Sequence, residues 1–158
     1  MNESDRKIHP SQIFLANALY SPSYVSTTYA LGYYDLIPER VVDLTSVTTK
    51  KTAKFANPIG TFLYQHLRTH LFFGFVEIKD ENGFPVFIAE PEKAVLDFIY
   101  LNLRDFKDKD EDVFSLSFRF QNLEMLNKRK IMEFARRYNN PDVLETARRF
   151  LAFMKRER

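Results

Sequence analysis

The chain has 158 residues, a net charge of +2 and no cysteine. That length fits one domain spanning 1–158. The missing thiol excludes disulfides, a cysteine nucleophile and a cysteine-ligated metal, and is in keeping with a reducing cytoplasm. No apolar run approaches the roughly 20 residues a membrane span needs, and the polar start Met1–Lys7 lacks the apolar stretch of a signal peptide.

The first residues with helical spacing run from Pro10 to Tyr20, where Ile13, Phe14, Leu15, Asn17, Ala18 and Leu19 supply the pattern. Ser21-Pro22-Ser23 breaks it. A second helix is expected over Tyr24–Tyr34, capped by Ser26, with Gly32 marking close packing. Leu36-Ile37-Pro38-Glu39 turns the chain away. Val41–Thr49, rich in Val and Thr, reads as a strand, followed by a basic turn at Lys50-Lys51 and a short strand over Thr52–Phe55. Asn57-Pro58-Ile59-Gly60 is a turn, and Thr61–Leu67 alternates as a strand. Phe72–Lys79 and Phe84–Ala89 flank Asp80-Glu81-Asn82-Gly83, a hairpin signal.

Pro91 opens a helix expected over 91–104: its missing N–H costs nothing at the first helical position, and Glu90 and Glu92 complement the positive end of the helix dipole. Lys93 and Asp97 lie four apart on one face of an otherwise apolar segment, which makes this a buried central helix. Residues 105–112 read as a solvated loop. Residues 113–126 fit two patterns, strand-like through Phe114, Leu116, Phe118 and Phe120 and helical through Leu116, Phe120, Leu123 and Leu126. Asn127 caps a helix over Lys128–Tyr138, and a last helix covers Val143–Lys155. The order of elements implies an α+β fold: a mostly antiparallel sheet of four to five strands with N-terminal helices, a buried central helix and C-terminal helices.

Charge is unevenly placed. Lys128–Arg158 holds ten Lys/Arg against four Asp/Glu, a net +6 that leaves −4 for the rest, so 127–156 is a basic helical pair. Arg136, Arg137, Arg148 and Arg149, with Lys50, Lys51, Lys54 and Arg68 along a basic edge, are the candidate nucleic-acid or partner surface. The plainer account of each group is a solvated face opposite an apolar stripe.

Other constellations are weaker. His66 and His70 have the spacing of a zincin helix but lack its Glu, and His9 stands apart. Asp43 with Glu77-Ile78-Lys79 resembles the Asp…Glu-x-Lys pattern of metal-dependent nucleases, in which two carboxylates hold Mg²⁺ and Lys steadies the attacking water. Charges at an exposed hairpin account for it equally well. There is no G-x-S-x-G and no glycine-rich phosphate loop. No catalytic residue, metal or cofactor is therefore expected. Asp97 needs a partner in its apolar turn, and a structural ion pair with Lys93 supplies one.

Three blocks together resemble the C-terminal domain of the AbiEi-type antitoxins of type IV toxin–antitoxin (abortive infection) systems. They are Pro22-Ser23-Tyr24-Val25-Ser26 through Leu36-Ile37-Pro38-Glu39, Val47-Thr48-Thr49-Lys50-Lys51 through Leu71-Phe72-Phe73-Gly74, and Ile88–Ala94 with Leu96-Asp97 and Tyr100. The match around them extends over roughly residues 10–104. The resemblance implies a non-enzymatic, cytoplasmic antitoxin and transcriptional-regulator domain that counteracts a co-encoded nucleotidyltransferase-type toxin, without requiring a stable complex with it. It marks Glu92, Lys93 and Asp97 as structural motif residues. The DNA-binding winged helix that precedes this domain in the family has no counterpart in the few residues before the first block.

Overall fold

In the computed structural model, which describes residues 10–110 and 112–157, six strands form one mixed sheet. They are β1 (Ser23–Val25), β2 (Leu44–Thr48), β3 (Ala53–Asn57), β4 (Gly60–His66), β5 (Phe75–Lys79) and β6 (Pro85–Ala89), in the order β3-β4-β2-β1-β6-β5. β1–β2, β3–β4 and β5–β6 pair antiparallel, while β1–β6 and β2–β4 pair parallel. The expected α+β class stands, but the sheet is larger and more mixed than periodicity suggested. The extra strand is β1, which takes Ser23 from the expected break and Tyr24 and Val25 from the segment read as the start of a helix. Three residues are too few to show alternation, and all three are buried.

Helix α1 (Gln12–Leu19) is capped by Ser11, whose Oγ accepts the Phe14 N–H at 3.1 Å. It lies on the sheet face that carries Val25, Ser46 and Tyr64, three residues in one register row. Tyr64 there donates its hydroxyl to the Ala16 carbonyl, and burial raises its pKa to about 12. The Asn17 amide accepts the Phe87 N–H at 2.6 Å and donates to the Phe87 carbonyl at 3.3 Å, standing in for a strand neighbour of β6. Helix α2 (Thr27–Tyr33) begins later than expected, and Gly32 admits Val41: a Cβ there would meet Val41 Cγ2 at 3.2 Å.

On the opposite face lies helix α3 (Pro91–Leu101), buried along Glu92–Ile99. The expected continuation to 104 is interrupted at Asn102, and a short helix α4 (Leu103–Phe106) follows. Residues 113–126 are neither strand nor α-helix. A π-helical turn over Val113–Ser117 and a 3-10 turn over Leu123–Met125 carry Phe114, Phe118 and Phe120 into an aromatic core with Phe98, Phe106, Phe150 and Phe153. Leu116, common to both sequence patterns, is 73% exposed. Helices α5 (Lys128–Arg137) and α6 (Pro141–Arg156) close the fold, capped by Asn127 and Asn140. His9 lies outside the described residues.

Candidate functional site

Lys93 and Asp97, one turn apart on α3, are both fully buried. Lys93 Nζ lies 2.6 Å from Asp97 Oδ1 and donates also to the Tyr24 hydroxyl (3.0 Å) and the Leu71 carbonyl (2.8 Å). All three ammonium donors are thus engaged. Asp97 Oδ1 accepts in addition from Tyr138 (2.5 Å), and Oδ2 accepts from Tyr24 (2.9 Å) and Ser26 (2.8 Å). The carboxylate therefore receives four donors. Ser26 occupies the capping position of α2, but its hydroxyl points to Asp97 instead of capping the helix.

Aromatic rings close the cluster. Lys93 Nζ sits 4.5 Å from the Phe73 ring centroid and 4.9 Å from that of Tyr138, where the negative ring faces favour a cation. Gly74, at φ +75°, leaves room for the lysine stem: a Cβ would meet Lys93 Cγ at 2.9 Å. Burial pulls the Lys93 pKa below its ordinary value against the opposing pull of Asp97. Burial, followed by the charge of Asp97, pushes Tyr24 and Tyr138 well above theirs, so both are neutral donors. This cluster joins β1, the Leu71 turn, α3 and the end of α5. Its donors and acceptors are saturated from within the chain, so it orients elements and has no free valence for a substrate.

Glu90 and Glu92 extend the junction. Glu92 Oε2 accepts the Asn127 N–H at 3.0 Å, and Glu90 pairs with Lys130 at 3.0 Å, so the acidic mouth of α3 holds the start of α5. Glu92, Lys93 and Asp97 are all packing residues here. Tyr24, Ser26, Phe73, Gly74 and Tyr138 are the members that local patterning did not reveal. Tyr24, Ser26, Phe73 and Gly74 lie in the blocks quoted for the family resemblance and Tyr138 lies outside them; what points to their task is that a buried Asp97 requires donors from elsewhere.

The basic residues divide into two groups. Lys50 and Lys51 lie in the β2–β3 turn and Lys54 on β3. Arg68 follows β4 beside them, since Leu67 N–H donates to the Thr48 carbonyl and His66 Nδ1 lies 2.9 Å from the Lys50 carbonyl. The second group is on α5 and α6. Arg136 and Arg148 are exposed, and Arg137 stacks on Phe73 with its guanidinium carbon 3.5 Å from the centroid. Arg149 points inward, donating to the carbonyls of Phe106 (2.9 Å), Lys109 and Asp110 (3.3 Å). It latches the 106–110 loop, a role that its pairing with Arg148 in sequence conceals.

The nuclease-like trio is not brought together. Asp43 precedes β2, whereas Glu77 and Lys79 lie on β5. β1 and β6 intervene, so three strand spacings of roughly 4.8 Å, about 14 Å in all, separate the two strands. Among the described residues no three acidic or histidine side chains gather as a metal site. His66 ends β4 and His70 lies in a 3-10 turn, so their four-residue spacing does not put them on one helix face. No described helix is long and apolar enough to cross a membrane. No model of a known protein family matches the chain, and no curated protein matches it.

Proposed function

We propose that this chain is the antitoxin domain of an AbiEi-like, type IV toxin–antitoxin system, acting in the cytoplasm by presenting a rigid surface and not by turnover. One observation carries this reading. The three sequence blocks that resemble the family, far apart along the chain, supply all but one of the members of a single buried cluster: Tyr24 and Ser26 from the first, Leu71, Phe73 and Gly74 from the second, Lys93 and Asp97 from the third, with Tyr138 alone coming from beyond them. Residues that share one structural task are expected to persist as a set, which supports reading the three blocks as one fold-defining unit.

Co-expression with the adjacent nucleotidyltransferase-type gene tests it. Restored growth is expected, and continued arrest despite soluble expression of the chain overturns it. Because the family need not form a stable complex, growth is the readout and not co-purification.

A second reading, a nucleic-acid-binding module, draws on a different observation. Residues 44–76 contain Lys50, Lys51, Lys54 and Arg68 and not one Asp or Glu. Together with exposed Arg136, Arg137 and Arg148 on the C-terminal helices, they offer positive surface to phosphates. Retention on DNA or RNA should fall steeply with salt and drop when Arg136, Arg137 and Arg148 are replaced together. Salt-independent or unchanged retention eliminates it.

A further inference from the structure

β5 is an edge strand: among the described strands only β6 pairs with it. Its hydrogen-bonding parity follows from the hairpin. The Asp80 N–H donates to the Phe84 carbonyl at 2.9 Å, and bonded and non-bonded pairs alternate along an antiparallel ladder. Ile78–Val86 and Val76–Ile88 are therefore the bonded pairs, and Phe75, Glu77 and Lys79 turn their N–H and C=O groups to the open side. Two further facts agree with this parity. Pro85, opposite Lys79, has no N–H to give, and the backbone groups of Phe87, opposite Glu77, are taken by Asn17 on the side away from β5.

We infer that β5 pairs antiparallel with β5 of a second copy of this chain, about a two-fold axis at Ile78. Parity requires outward-turned residues to face one another, so the axis can fall at any residue of the strand, and charge selects among those registers. An axis at Glu77 sets Glu77 against its own copy, and an axis at Lys79 does the same to Lys79. Axes at Phe75 or Val76 leave both charges without an opposite. The axis at Ile78 places Glu77 opposite Lys79 of the second copy and Lys79 opposite Glu77 of the second copy, two opposite-sign pairs in a checkerboard on one face. On the other face Ile78 meets its own copy, and Val76, which is 37% exposed, falls opposite Asp80 of the second copy, whose carboxylate is already held by the Ser11 hydroxyl and the N–H groups of Asn82 and Phe84.

The opposite edge shows the contrast. β3 carries Lys54 and follows Lys50 and Lys51 with no acidic residue nearby in sequence, so a copy of β3 would be repelled, a common guard on edge strands. β5 has no such guard: no proline, and charges that cancel across a two-fold axis. The shared edge is only five residues long. The dimer is accordingly a weak, concentration-dependent one.

Sedimentation or light scattering of the full chain over loadings of roughly 5 to 500 µM, the regime of a small interface, tests the register. The expected result is a reversible dimer. Glu77→Lys and Lys79→Glu, both at exposed positions, each convert two opposite-sign pairs into like pairs and should weaken it about tenfold or more. The double exchange E77K/K79E should return it to within about threefold of the original. Circular dichroism of each variant confirms that the fold is unchanged. A chain that stays monomeric throughout overturns the inference. So does a dimer indifferent to the single changes, or one that the double exchange fails to restore.

Discussion

Lys93 Nζ and Asp97 Oδ1 stand 2.6 Å apart, one helical turn from each other, and neither side chain touches solvent. Desolvating two charges is costly, and their mutual attraction offsets that cost only where further hydrogen bonds complete both groups. Here three hydroxyls and a main-chain carbonyl do so. The pair therefore specifies how β1, α3 and α5 dock, and the two partners are not equivalent.

Asp97→Ala strands a buried ammonium and three hydroxyls, and should cost about 3–5 kcal/mol in urea unfolding. Lys93→Met should cost less, because Tyr24, Ser26 and Tyr138 still donate to the carboxylate. A larger loss at Lys93 than at Asp97 would contradict this ranking.

Gly74→Ala should destabilise by about 3 kcal/mol or more, since it adds a strained φ to a clash with the Lys93 stem. Gly83, at φ +83°, has nothing within 4 Å of its missing Cβ, so Gly83→Ala should cost only about 1 kcal/mol from the backbone alone. Equal losses in thermal melts would show that the close approach at Gly74 is unimportant.

Arg148 and Arg149 are neighbours with different fates. Arg149→Ala removes donors to three loop carbonyls and should cost about 1–3 kcal/mol, together with faster amide exchange through 106–110. Arg148, exposed and 3.9 Å from Glu145, should change stability by no more than about 0.5 kcal/mol when replaced by Ala.

Alkaline pH should unfold the protein cooperatively. Tyr24, Tyr34, Tyr64 and Tyr138 all have pKa values raised by folding, chiefly through burial. Above pH 10 the unfolded chain loses these protons while the folded one keeps them, so stability that is complete below pH 10 declines as pH rises beyond it. Lys93, lowered by burial, acts in the opposite sense, but as a single group. Ultraviolet titration should show these four tyrosines ionising late and together with loss of structure. Smooth ionisation of all eight tyrosines near pH 10 in a folded chain would refute this.

Asn17→Ala leaves the Phe87 N–H and carbonyl without partners and should cost about 1–2 kcal/mol. Amide exchange at Phe87 should accelerate selectively. Protection unchanged at that amide would mean that the asparagine does not substitute for a strand.

Much of this architecture is written in local patterns. Pro91 with its acidic flanks, the Asn127 cap and the Asn82-Gly83 turn each act within a few residues, so a linear reading finds them. Even the Lys93–Asp97 pair follows from helical spacing. Residues 113–126 are different. Their phenylalanines satisfy two periodicities, and the chain adopts neither, because the space left between α3 and α6 decides where each ring goes.

The sequence by itself determined where α3 and α5 start, where the main hairpins turn and that an aspartate would be buried, since capping, turn geometry and amphipathic spacing are short-range. Only the tertiary structure decided that Asp97 is met by Tyr24 and Tyr138, 73 and 41 residues away, that Arg149 turns inward beside an exposed Arg148, and that Asp43 and Glu77 lie on strands kept apart by β1 and β6. Those outcomes depend on strand order and loop closure, which bring distant residues together through the packing of the whole chain and leave no periodic mark along it.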